Sequence, residues 1–174
     1  MKRAARRRVM CSLSLALALG AIAGSAHAAQ DATFAAGIPL GGFLSGNWYD
    51  PAQPGQGFQL EFTDQNSTLI AVWFVFAPSG GAQNWIFAQG AYDHAASAVT
   101  IDAVLLTGAQ FPPQFKTSDL QHVPWGTLTF TFSDCDHGQA SWSSTLPGYG
   151  SGSMPLTRLT SIRGLACPQT GAQP

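Results

Sequence analysis

Apolar and polar residues alternate along much of the chain after residue 45, and this period of two restricts the fold more than any other feature. In Gly57–Thr63, for example, Phe58, Leu60 and Phe62 alternate with polar residues. Such a pattern places one side of a β-strand in a core and the other side in water. No long stretch has the 3.6-residue apolar period of a helix. The sequence therefore predicts an all-β fold.

Turn-forming residues divide this pattern into about eight short antiparallel strands. The predicted strands cover residues 46–49, 57–63, 68–77, 83–92, 98–106, 125–133, 139–144 and 152–160. Strands that follow one another in this way form a meander, which is typical of an up-and-down barrel or a sandwich. We favour the barrel over the sandwich.

Three segments carry more specific expectations. Residues 68–77 are apolar on both faces, which predicts a central strand covered on both sides. Pro155 has no backbone donor, so its strand is expected to form an edge or a bulge. Residues 107–124 contain three prolines and no clear period, which predicts a long loop of the kind that often carries function.

The first 28 residues have the pattern of a secretory signal peptide. Five basic residues lie within residues 1–8, and an uncharged apolar run covers residues 9–23. This run is shorter than the ~20 residues that span a bilayer, so we expect export to the periplasm or the medium without a retained membrane anchor. The expected organisation is a signal peptide over 1–28, a flexible segment over 29–45, one β domain over 46–168 and a tail over 169–174.

The charge of the chain depends strongly on that leader. Its removal leaves three basic residues, Lys116, Arg158 and Arg163, against nine acidic residues, which gives a net charge of −6. Three dispersed cations cannot neutralise a run of phosphates, so the sequence argues against nucleic-acid binding. The same deficit argues against attachment to anionic lipid through a basic stripe.

Two cysteines, Cys135 and Cys167, remain after the leader. An even number of cysteines in an exported chain predicts a disulfide. Redox-active pairs more often form a Cys-x-x-Cys motif, so we expect a structural bond that ties the C-terminal region to a loop.

Two sequence blocks frame the expected domain. The first has the pattern Gly-x-Trp-Tyr-x-Pro…Gly-x-Gly-Phe over residues 46–58, and the second has the pattern Arg-Leu-Thr…Gly-Leu-x-Cys-Pro over residues 158–168. Together they resemble a group of uncharacterised exported bacterial β domains. The resemblance implies export, β structure and the cysteine pair. It assigns no activity to any residue of this chain.

The sequence contains no strong catalytic or metal-binding motif. His94, His122 and His137 lack the close spacing of residues that share one metal, so we expect neither a metal nor a cofactor. Glu61 and Asp102 are the two carboxylates within predicted strands, and a buried pair of this kind would suit a hydrolase. Strands that are buried on one face more often carry such residues on the solvent-exposed face. We therefore favour a non-catalytic chain and keep a periplasmic or secreted hydrolase as the alternative.

Arg158 has an unusual position in the last predicted strand. Arg158 follows Met154 and Leu156 at intervals of two residues. Because side chains alternate between the two faces of a strand, the side chain of Arg158 is expected to point inward with theirs. A buried guanidinium needs a partner. We expect an ion pair with Glu61, or alternatively with Asp102.

Aromatic residues beside glycine or proline at strand ends are candidates for ligand binding. Trp48, Tyr49, Trp125 and Tyr149 have such positions. Their flat apolar faces suit a sugar or a small apolar ligand, and we expect them to line a mouth of the barrel. The sequence therefore favours an exported module that binds a small ligand, a glycan or a protein partner. A purely structural role in the cell envelope is a third alternative.

Overall fold

The chain forms a closed barrel of eight antiparallel strands in a computed structural model that describes residues 37–168. Each strand pairs with the next, and the last pairs with the first. The strands are β1 (Gly46–Tyr49), β2 (Gly57–Thr63), β3 (Thr68–Phe76), β4 (Gln83–Ala91), β5 (Ala98–Thr107), β6 (Gln121–Phe132), β7 (His137–Ser144) and β8 (Ser151–Arg158). The predicted all-β meander and its closure as an up-and-down barrel are confirmed. The predicted signal peptide, residues 29–36 and the predicted tail lie outside the described residues.

Inward-pointing side chains pack the middle of the barrel. In β2, Phe58, Leu60 and Phe62 are buried, whereas the residues between them are exposed. The ring of Phe58 stacks on Trp73 with 4.9 Å between the centroids, and it contacts Phe130 edge-on at 5.2 Å. Removal of these rings from water supplies the main stabilising contribution to such a fold. The period of two thus specifies which side chains form the core.

The outer face of β3 is apolar and yet remains exposed. Phe74 and Phe76 on this face are 50% and 42% exposed, whereas Leu69, Ala71 and Trp73 on the inner face are buried. The expectation that β3 is covered on both sides is therefore wrong. A barrel is a single sheet closed on itself, so its outer face meets water unless another element covers it. The apolar outer face of β3 is not required by the fold.

The predicted loop over residues 107–124 is shorter in the structure. Strand β6 begins at Gln121 rather than at residue 125, and the connection from β5 covers residues 108–120. The register pairs Ala103 with Gly126 but Val104 with Pro124, so Trp125 is an extra residue in β6. This is a β-bulge, which bends a strand and re-aims a side chain.

Pro155 lies at an edge-like position of β8, as expected. It pairs with Gln139 of β7. Strand β1 pairs with β8 only at Thr157 and Arg158. Because β1 ends before it reaches Pro155, no ladder bond on that side needs the missing N–H group.

Residues 38–45 pack across one end of the barrel, which we call the closed end. The sequence analysis expected a flexible segment over 29–45, and this part of it is wrong. Leu40 and Leu44 are buried, and the backbone N–H of Leu40 donates a hydrogen bond to the carbonyl of Ala96. The segment covers core side chains that would otherwise contact water at the barrel end.

Arg158 points toward the closed end, but it does not pair with Glu61 or Asp102. Its guanidinium donates hydrogen bonds to the carbonyl oxygens of Phe43, Ser45, Cys135 and Thr160. It also lies 5.3 Å from the centroid of the Trp48 ring, within the range of a cation–π interaction. Glu61 and Asp102 are exposed on the outer faces of β2 and β5, so the predicted ion pair is wrong. Backbone carbonyl groups, and not a carboxylate, accept the hydrogen bonds of this guanidinium.

Asp64 connects the closed end to the neighbouring strands. Its carboxylate accepts hydrogen bonds from the backbone N–H of Gly42 at 2.9 Å and from the hydroxyl of Tyr92 at 3.0 Å. Burial raises the pKa of Tyr92 to about 12, and the hydrogen bond to Asp64 and its charge act in the same direction. The neutral hydroxyl is therefore part of this connection.

The predicted disulfide joins Cys135 and Cys167, which are 32 residues apart in the sequence. It ties the residues after β8 to the turn between β6 and β7, beside the closed end. Such a bond stabilises the fold mainly by restricting the unfolded chain. Within residues 37–168, no helix has the length and hydropathy needed to cross a membrane.

Candidate functional site

The structure separates the four predicted ligand-binding residues. Trp48 is 1% exposed and Trp125 is 0% exposed, so neither lines an open mouth. The indole N–H of Trp48 donates to the carbonyl of Leu44 at 3.0 Å, which fixes this ring beneath the closed end. The bulge in β6 turns Trp125 into the core. The prediction for these two residues is wrong because both rings belong to the packed interior.

Tyr149 lies at the opposite end of the barrel, in the turn between β7 and β8. Its hydroxyl accepts a hydrogen bond from the side-chain amide of Asn84 at 2.6 Å. Its ring contacts Trp125 edge-on, with 5.4 Å between the centroids. Tyr149 therefore packs against the core and helps to cover this end of the barrel.

Tyr49 faces outward and is the one predicted site residue that takes part in an exposed aromatic cluster. The register pairs Gly57 of β2 with Phe74 of β3, and Phe74 with Trp85 of β4. Tyr49 of β1 lies on the other side of Gly57. Phe74 and Trp85 are 50% and 49% exposed. We call Tyr49, Gly57, Phe74 and Trp85 the outer aromatic row.

Gly57 allows β1 and β2 to approach closely in this row. A Cβ atom at position 57 would lie 2.5 Å from the carbonyl oxygen of Trp48 and 3.1 Å from the Cβ of Tyr49. Only glycine fits there without movement of the backbone. Gly57 is one of the residues that line a groove of about 390 Å³ bordered by Tyr49 and Phe74, which we call the Gly57 groove.

A second groove of about 250 Å³ is lined by Phe74 and Trp85 among other residues, and we call it the Trp85 groove. Phe74 and Gly55 line both grooves, so the two are neighbours on the same outer wall. The Gly57 groove lies within the size range of small-ligand pockets, and the Trp85 groove is slightly smaller.

The chemistry of the two grooves is aromatic and uncharged. Apart from the phenol of Tyr49, the residues that line them within the described part of the chain carry no ionisable side chain. Neutral amides border the rings instead: Asn47, Gln56, Gln83 and Asn84. Amides both donate and accept hydrogen bonds, so the site suits a neutral ligand with flat apolar faces and polar edges.

The two carboxylates considered for a hydrolase are not brought together. Glu61 and Asp102 are exposed on β2 and β5, with β3 and β4 between these strands. Three strand spacings separate them by about 14 Å, more than the 5–9.5 Å that glycoside hydrolases use. Over residues 37–168, no group of three or more His, Cys, Asp or Glu side chains forms a metal site.

The histidines are exposed and belong to turns or an outer strand face. The hydroxyl of Ser67 lies 3.0 Å from Nε2 of His94, which is the spacing of a nucleophile and its base. In the described chain, however, no carboxylate contacts the His94 ring to orient it. His137 contacts Asp134 at 3.0 Å, and backbone and side-chain hydrogen bonds to this carboxylate lower its pKa against the effect of its burial. The first contact links the β2–β3 and β4–β5 connections, and the second lies at the β6–β7 turn.

Phe74, Trp85 and Gly57 are the site residues that the sequence analysis missed. The apolar residues on both faces of β3 were the available signal, but we interpreted them as buried on both sides. Comparison of the chain with protein-family models, curated proteins and solved structures found no match. The geometry of the outer wall therefore carries the functional argument.

Proposed function

We propose that this chain is an exported, non-catalytic module that binds a neutral carbohydrate on the outer aromatic row. The observation that carries the proposal is the half-exposed pair Phe74 and Trp85, in register with each other and with Gly57. Large apolar side chains that remain exposed in a row mark a binding surface more often than isolated ones do. The leader pattern and the disulfide support export.

A carbohydrate fits this surface better than other ligand classes. Sugar rings present apolar C–H faces to aromatic rings and hydroxyl groups to amides, and both partners are available in the two grooves. The lack of charged groups on the lining disfavours phosphorylated or acidic ligands, which need cationic partners. A second copy of the chain is disfavoured because two chains that each carry a net charge of −6 without the predicted leader repel each other at low ionic strength.

Native affinity electrophoresis tests the proposal. The secreted protein is run in gels that each contain one soluble neutral polysaccharide: mixed-linkage β-glucan, hydroxyethyl cellulose, xyloglucan or galactomannan. A polygalacturonate gel serves as the acidic comparison. We expect retardation in at least one neutral gel and none with polygalacturonate.

Substitutions locate the binding surface. Trp85→Ala and Phe74→Ala each remove one exposed ring, and we expect each to weaken binding about tenfold. Phe111→Ala is the matched control, because Phe111 is 87% exposed but lies in the connection between β5 and β6, outside the row. This control is expected to bind like the unmodified protein.

Three results would overturn the proposal. The first is free migration in every neutral gel. The second is unchanged binding by both Trp85→Ala and Phe74→Ala. The third is a dimer, detected by light scattering, that Trp85→Ala converts to a monomer, because the row would then be an interface between copies of the chain.

A further inference from the structure

The barrel closes along a short seam between β1 and β8, and part of β8 has an unpaired edge beside that seam. We propose that this edge, which is formed by the backbones of Ser151 and Ser153, binds an extended peptide segment as an added strand. We call it the β8 edge. The inference goes beyond the proposed function, because the outer aromatic row lies on β1 to β4 and not on β8.

Two prolines explain why the seam is short. Strand β1 pairs with β8 at two positions, and the second of these joins Tyr49 to Thr157. If β1 continued in the same register, Pro51 would lie opposite Pro155. Neither residue has a backbone N–H group, so the ladder cannot continue there. In the described chain, residues 151–155 therefore pair with β7 on one side and with no strand on the other.

The backbone groups of Ser151 and Ser153 point to this unpaired side. The N–H group of Ser144 in β7 donates to the carbonyl of Gly150, so the even-numbered residues around β8 form the hydrogen bonds to β7. The residues between them direct their N–H and C=O groups away from β7. Both serines are exposed. Within residues 37–168, no backbone hydrogen bond joins either serine to a residue on the unpaired side.

An extended peptide is complementary to this edge. The two serines present an N–H and a C=O group each, with a repeat of about 6.8 Å along the strand. Another strand has the same repeat, so an added strand can exchange four hydrogen bonds with Ser151 and Ser153. The serine side chains are small and leave room for the outward-pointing side chains of a partner. The net charge of −6 without the predicted leader favours a neutral or basic peptide over an acidic one.

A titration followed by nitrogen–proton correlation spectra tests the inference. The probe is the peptide acetyl-Lys-Thr-Val-Thr-Val-Thr-Lys-amide, because threonine and valine favour the extended conformation. We expect the amide signals of Ser151 and Ser153 to shift, and their exchange with solvent to slow at least about tenfold in the complex. A matched peptide with glutamate in place of both lysines is expected to bind more weakly.

Two substitutions change the edge without removing a hydrogen bond to β7. Ser153→Pro removes one N–H group from the unpaired side, and we expect it to weaken peptide binding about tenfold. The matched control is Ser153→Ala, which keeps the N–H group and should bind like the unmodified protein. Pro155→Thr adds an N–H group to the same side and should strengthen binding several-fold. Far-ultraviolet circular dichroism and thermal unfolding show whether each variant remains folded.

Four results would overturn the inference. The first is the absence of any shift at Ser151 and Ser153 with the lysine peptide at millimolar concentration. The second is equal peptide affinity for Ser153→Pro and Ser153→Ala. The third is a dimer that Ser153→Pro converts to a monomer, because copies of the chain would then occupy the edge. The fourth is loss of peptide binding in Trp85→Ala, which would place the peptide on the outer aromatic row. Retardation by neutral polysaccharides should be the same for Ser153→Pro and the unmodified protein, so the two proposals fail separately.

Discussion

The closed end and the outer aromatic row use similar side chains for different purposes. At the closed end, Leu44 and Trp48 are buried, and Arg158 contacts carbonyl groups and the Trp48 ring. In the outer aromatic row, Phe74 and Trp85 remain half exposed, with no charged residue beside them in the grooves that they line. Burial at the closed end stabilises the fold, whereas exposed rings contribute little until a ligand covers them. The difference predicts that substitutions in the two regions affect different measurements.

Leu44→Ala should have the largest effect on stability. Leu44 is fully buried at the closed end, and removal of its side chain leaves a cavity in the packed core. We expect the free energy of unfolding in urea to fall by about 3 kcal/mol. The matched control is Leu159→Ala, because Leu159 is 64% exposed and should change the same quantity by less than about 0.5 kcal/mol. Equal losses would remove the distinction between the two regions.

Arg158→Met should have the next largest effect. The methionine keeps much of the apolar stem but leaves the carbonyls of Phe43, Ser45 and Cys135 without a donor. We expect a loss of about 2 kcal/mol in urea unfolding at neutral pH.

Arg158→Lys separates charge from geometry. Burial lowers the pKa of Arg158, and the nearby charge of Asp136 opposes this shift. A lysine keeps the charge but cannot reach several carbonyls with one planar group. We expect it to recover less than half of the stability lost in Arg158→Met. Full recovery would show that charge alone holds the closed end.

The closed end should also become less stable at high pH. The pKa of Tyr92 is raised from 10 to about 12 in the folded protein, so the folded state keeps a proton that the unfolded chain releases. This contribution to stability is intact below pH 10 and is lost as the pH rises from 10 to 12, by roughly 2 kcal/mol. The measurement compares unfolding of the protein and of Tyr92→Phe across this range. Parallel curves for the two proteins would contradict the account.

The smallest effect on stability is expected in the outer aromatic row. Phe74→Ala and Trp85→Ala remove side chains that are about half exposed, and we expect losses below about 1 kcal/mol in the free energy of unfolding. The same variants should weaken carbohydrate binding about tenfold, whereas Leu44→Ala should leave binding unchanged in conditions where it is folded. Losses above about 3 kcal/mol would place these rings with the core instead.

The sequence predicts the barrel well because the inner face of each strand has a local signature. The alternation in β2 gives the correct inward set, Phe58, Leu60 and Phe62, without knowledge of any neighbouring strand. The packing of residues 38–45 against the barrel was not predicted, because the buried residues Leu40 and Leu44 do not belong to a regular apolar pattern. The burial of Trp125 was missed because a bulge depends on the pairing of two strands.

The candidate site was harder to predict because it depends on register. Tyr49, Gly57, Phe74 and Trp85 lie on four strands, and a shift of one residue in any pairing would move a ring to the other face. The Arg158 prediction failed for a related reason. The alternation along β8 predicted the direction of the Arg158 side chain. The carbonyl groups that accept its hydrogen bonds, however, come from distant segments of the chain.

The central claim is that ligand binds on the outer wall and not inside the barrel. The chain has five tryptophans, and each indole N–H gives its own signal in a nitrogen–proton correlation spectrum. Titration with a soluble oligosaccharide of the neutral polysaccharide that retards the protein should shift the signal of Trp85, because it is half exposed, and leave those of Trp48, Trp73 and Trp125 in place, because they are buried. Assignment by the Trp85→Phe variant identifies the signal. A shift of the Trp73 and Trp125 signals without a shift of Trp85 would place the ligand inside the barrel and contradict the account.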